Sequence, residues 1–137
     1  LKRSITLLTV LTLIGFIFYF NTTRSPFPEY EKRFNVHLPK NFTSEQIVHL
    51  EKSPFQIIAV YSYDEDVSFP SLFSTLDAEG VTDANFHIDA VLKQIPTFFT
   101  IEAEIGDVYE HLQHDRYEHF IALYKKDERR LYVLVST

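Results

Sequence analysis

The first twenty residues, L-K-R-S-I-T-L-L-T-V-L-T-L-I-G-F-I-F-Y-F, constrain this chain more than any other feature. After Lys2 and Arg3 no charged side chain appears until Arg24. As a helix rising about 1.5 Å per residue, residues 4–20 reach roughly 25 Å, a little under the ~30 Å hydrocarbon core of a bilayer. Tyr19 and Phe20 fall where an interfacial aromatic belt sits, and Asn21, Thr22 and Thr23 suit the headgroup layer. Residues 1–20 therefore read as a single transmembrane anchor, with the lipid bilayer as a partner through residues 4–20. A cleaved signal peptide is the competing reading, but it needs small residues at its cleavage point, where F-I-F-Y-F-N-T-T-R places bulky aromatics. Positive charge concentrated on the short side, at Lys2 and Arg3, predicts a cytoplasmic N-terminus and a C-terminal domain outside the cell membrane; Arg24, Lys32 and Arg33 pull the other way.

With 137 residues, 45% of them hydrophobic, the remainder is long enough for one packed domain. The net charge is −6, and without Lys2 and Arg3 it becomes −8, eleven basic residues against nineteen acidic ones. Such a surface repels phosphate backbones. The densest basic stretch, K-K-D-E-R-R at 125–130, carries its own acids and reads as a solvated turn, so nucleic acid is excluded as a partner. Cysteine is absent, which removes disulfides, thiolate metal sites and thiol nucleophiles. An exported domain without disulfides suits a bacterial surface. The sequons at Asn21 and Asn41 would matter only in a eukaryotic secretory pathway.

Residues 21–28, N-T-T-R-S-P-F-P, read as an extended juxtamembrane linker, and 29–137 as an extracytoplasmic α+β domain. A helical turn leads into Phe34, Val36 and Leu38, whose alternation predicts a brief strand ended by Pro39. Gln46–Glu51 and Pro54–Tyr63 predict paired strands, the second buried on both sides for part of its length. A helix over 44–52, started by the T-S-E-Q capping box, is the alternative. Ser68 and Pro70 suit the start of a helix carrying Phe69, Leu72, Phe73 and Leu76, with Gly80 beyond its end. A second helix runs from about Asp83 to Lys93, with Ile88, Val91, Leu92 and Ile95 as its apolar stripe and Pro96 as its stop. Phe99, Ile101, Ala103 and Ile105 alternate with polar residues as a half-wet strand does. Asp107 and Glu110 form a capping box for a short helix to about His114, and Tyr117–Lys125 with Arg130–Ser136 form an antiparallel hairpin. The whole is a mainly antiparallel sheet with two or three short helices packed on one face.

The motif F-x-x-x-L-P at Phe34–Pro39 and the hairpin F-I-A-L-Y-K-K-D-E-R-R-L-Y-V at Phe120–Val133 resemble small, uncharacterised exported or membrane-anchored proteins of Gram-positive bacteria. The resemblance implies a location and a fold class, and transfers no active residues.

Chemistry concentrates in E-H-L-Q-H-D-R-Y-E-H-F, residues 110–120, which holds three of the six histidines. On a continuous helix, His111 and His114 are neighbours and His114 and Glu118 are four apart, so His111, His114 and Glu118 are the candidate metal ligands. The strand-like alternation of Tyr117, His119, Ile121 and Leu123 breaks that spacing, and the H-x-x-H lacks the glutamate of H-E-x-x-H; a solvated helix end is the plainer reading. Imidazoles beside carboxylates also suit pH sensing. Asp64, Glu65 and Asp66 lack the glycine and further ligands of a calcium loop, and the serines lack an elbow or a lysine partner. No catalytic residue and no cofactor is implied. The reading is a single-pass membrane protein whose outer domain is a non-enzymatic binding or regulatory module with a protein or envelope component as partner. A small metal-dependent or acid-base enzyme using the 110–119 cluster is the first alternative, and a membrane-associated immunity or inhibitor protein the second.

Overall fold

The computed structural model describes residues 11–12 and 25–137. The expected anchor at 4–20 and linker residues 21–24 thus lie outside the described residues, apart from Leu11 and Thr12, which are helical. Among the described residues no helix is long and apolar enough to cross a membrane.

The elements run α1 (Phe27–Phe34), β1 (Ser44–Lys52), β2 (Phe55–Ser62), β3 (Ser74–Thr75), α2 (Ala78–Leu92), β4 (Val108–Gln113), β5 (His119–Lys125) and β6 (Arg130–Ser136). The strands form one antiparallel sheet in the order β1-β2-β6-β5-β4-β3. This is the expected α+β class.

The two helices cover opposite faces of the sheet, not one. Phe27, Tyr30 and Phe34 of α1 pack with Ile57, Ala59, Tyr61, Phe120 and Val133, while Ala84, Ile88 and Val91 of α2 pack with Ile58, Val60, Ile121, Leu123 and Leu134. The cause is visible in β2, β5 and β6, whose consecutive residues are nearly all buried. Strands that are apolar on both faces leave hydrocarbon in water unless both faces are covered.

The strand reading prevails over the helix at 44–52, since β1 pairs with β2 along its whole length, with a bulge between Ile47 and His49. The β5–β6 hairpin forms as expected, turning through Arg129 at φ 51°. Helix α1 begins at Phe27, so Phe27 and Pro28 belong to a helix and not to an extended linker. It ends at Phe34, where Asn35 is left-handed, and Val36 and Leu38 bury their side chains without joining the sheet.

Three further local expectations fail, each because a tertiary partner decides the backbone. No helix forms at 68–76. Phe69 and Phe73 pack on the α1 side, whereas Leu76 packs on the α2 side, so the segment wraps the sheet edge; one helical face cannot serve both. Helix α2 instead starts at Ala78 with Asp77 as its cap, accepting from Gly80 N at 2.8 Å, which puts Gly80 inside the first turn. Residues 99–104 form no strand, and Ile105 lies in a turn. Asn85 of α2 takes the place of a partner strand, accepting from Ala103 N at 2.7 Å and donating to Ala103 O at 3.2 Å. Residues 107–114 are not helical, because β5 offers a free edge that β4 fills from Val108 to Gln113. The carboxylate of Asp107, rather than capping a helix, accepts from Glu104 N at 2.8 Å and from Lys125 Nζ at 3.3 Å.

Candidate functional site

The change from helix to strand at β4 rearranges the histidines. With a side-chain period of two, His111 and Leu112 face opposite sides of the sheet. His111 is in register with Ile121, and His119 precedes Ile121 by two residues on β5, so both imidazoles lie on the α2 side. Their rings stack at 5.4 Å between centroids and 16° between planes, with His111 Nε2 3.1 Å from His119 Nδ1. His87 of α2 completes the group from above, its ring centroid 4.3 Å from that of His111.

His114 and Glu118 lie elsewhere. The ring of His114 packs on Phe34 at 5.0 Å, on the α1 side, and its Nδ1 is 3.9 Å from Glu118. Glu118 in turn pairs with Arg33 of α1. Of the candidate ligands the structure therefore brings His114 and Glu118 together and leaves His111 across the sheet from them. Among the described residues no group of three or more His, Asp or Glu is arranged to hold a metal ion.

The histidine stack is half-buried. Burial, with His87 and His119 close by, pushes the pKa of His111 down to about 4. Beside it on β4, Tyr109 is half-buried, its hydroxyl enclosed without a partner, and burial raises its pKa, helped by Glu110 and Asp83. Asp115 lies at the open end, its carboxyl held below the usual range by the backbone N–H groups of Tyr117 and Glu118. One proton shared between His111 Nε2 and His119 Nδ1 satisfies both nitrogens. A second proton between these nitrogens would set two N–H groups against each other and break the contact.

His87 escapes sequence reasoning because it is distant in the chain and on an element that looks purely structural. The available signal is its place beside Ala84, Ile88 and Val91 on α2, the flank of the buried stripe.

The other sequence candidates resolve into structure. Asp64 and Asp66 meet Arg129, which donates to Asp64 O at 2.7 Å and lies 3.8 Å from the Asp66 carboxylate, so the acidic turn is closed by the chain's own cation. Lys125, first of the basic run, is buried: its Nζ donates to Glu102 O at 3.0 Å and pairs with Asp107. Compared with protein-family models, curated proteins and solved structures, the chain matches none.

Proposed function

We propose that this chain is a single-pass membrane protein whose α+β domain works outside the cell as a non-enzymatic binding or regulatory module. The observation that carries the reading is where apolar side chains remain in water. The central strands β2, β5 and β6 are covered on both faces, yet Ile47, Val48 and Leu50 on β1, Phe86 on α2, and Phe98 and Ile105 on the strap between α2 and β4 are exposed. Large apolar side chains kept at the surface suit recognition of a protein or envelope component. The apolar run at 4–20 supports the anchor, and the resemblance to exported Gram-positive proteins supports the compartment.

The cysteine-free sequence allows a clean test. A Phe98→Cys variant of the full chain, expressed in a bacterial host, is expected to react with a membrane-impermeant maleimide on intact cells. Labelling only after lysis would overturn the outward orientation. Photo-crosslinking from position 98, followed by identification of the captured envelope component, then tests the binding role.

The contact between His111 and His119, with His87 above, favours a second reading in which the cluster carries acid-base or metal chemistry. It predicts stoichiometric zinc uptake by the full chain in calorimetry. No uptake at micromolar zinc would sink its metal form.

A further inference from the structure

Strand β1 is one edge of the sheet, the two-residue β3 being the other. Among the described residues it is paired on one side only, with β2, and it exposes Ile47, Val48 and Leu50 at 38%, 39% and 36%. Such an edge is a template for another strand. We propose that its occupant is β1 of a second copy, joined about a two-fold axis between Val48 and His49 so that the two sheets become one.

The bulge selects this register. Before it, Glu45 and Ile47 register with Tyr61 and Ala59; after it, Leu50 and Lys52 register with Ile57 and Phe55. All four β2 residues belong to the α1-side core, so Glu45, Ile47, Leu50 and Lys52 share one face. In a regular strand, residues of opposite parity face opposite ways. The extra residue lets Glu45 stand opposite Lys52 and Ile47 opposite Leu50 of the other copy, with faces matched. The two-fold repeats each pair, giving two opposite-charge pairs flanking two apolar ones, the favoured cross-strand combinations. Centring the axis one residue toward the N-terminus also matches faces, but it sets Glu45 against Leu50.

The surroundings fit this pairing. A groove of about 400 Å³ between α1 and the end of β1, lined by Pro26, Glu29, Lys32, Leu50 and Lys52, lies beside Leu50 where the other copy's Ile47 arrives. Ser25 Oγ donates to Glu45 at 2.5 Å, tying the segment that leads into the domain to the same face. An axis perpendicular to the sheet then puts the leading segments of both copies on one side, as two chains anchored in one bilayer require.

The test uses the full chain in mild detergent. Sedimentation velocity is expected to show a reversible monomer–dimer equilibrium at micromolar concentrations. Lys52→Glu, which makes both charge pairs glutamate against glutamate, should weaken it by about tenfold, and so should Glu45→Lys; the double variant Glu45→Lys/Lys52→Glu should restore it. Both sites are on the surface strand, and circular dichroism checks that each variant folds. Mild oxidation of Ile47→Cys/Leu50→Cys should give a disulfide-linked dimer, since facing residues of antiparallel strands lie within disulfide reach. A chain that stays monomeric overturns the proposal. So does a dimer indifferent to both charge reversals, which would be held elsewhere, or a cysteine at position 47 that captures another protein or lies shielded in detergent instead of meeting the second copy.

Discussion

Acid should loosen this domain through His111, and the size of the effect follows from its surroundings. The imidazole is held neutral by burial and by His87 and His119, with a pKa of about 4 against 6.5 for a free side chain. The unfolded chain therefore binds more protons than the fold between these values. The contribution is complete above about pH 6.5, is lost as the pH falls toward 4, and stays flat below that. The full difference corresponds to roughly 3 kcal/mol, of which about 2 kcal/mol is lost by pH 5. The ring is only partly buried, so screening by water trims the loss at pH 5 to about 1–2 kcal/mol. The facing groups are His87 from α2, Tyr109 from β4, and His119 from β5 with Asp115 near it. Urea unfolding of the full chain in detergent at pH 7.5 and 5.0 measures the effect, with His111→Gln as the comparison, because glutamine keeps polar reach toward His119 without titrating. The wild type should lose about 1–2 kcal/mol more than the variant on acidification. Equal pH slopes in the two chains, or a His111 proton resonance titrating near pH 6.5, would refute the reasoning.

Asn85→Ala should cost about 1–3 kcal/mol, because it strips both partners from the buried backbone of Ala103; thermal unfolding and amide exchange at Ala103 report it together. Glu118→Gln should shift stability by no more than about 1 kcal/mol, since its pairs with Arg33 and His114 are near the surface, and it should leave any zinc affinity of the chain unchanged, whereas the sequence-derived ligand set requires that affinity to collapse.

The sequence by itself determined the features that depend on neighbours in the chain. Strands β2, β5 and β6 are legible because each is a run of apolar, β-branched and aromatic residues with no other way to be buried. The β5–β6 turn follows from the polar stretch Lys126–Arg129, and the C-terminal part of α2 from the spacing of Ile88, Val91 and Leu92. Only the tertiary structure decided which extended segments become strands. Phe99–Ala103 has the alternation but meets the side of α2, where Asn85 takes its hydrogen bonds, while Val108–Gln113 has a helix-start signal but meets the open edge of β5. A capping box contributes about 1 kcal/mol, and six residues of ladder with a half-buried face exceed that. The candidate site turned on the same choice. Helical spacing put His111 with His114 and Glu118, and the two-residue period of a strand put it with His119 and beneath His87. Local spacing fixes which side chains can share a face, but which face a partner covers is a long-range fact that no local pattern encodes.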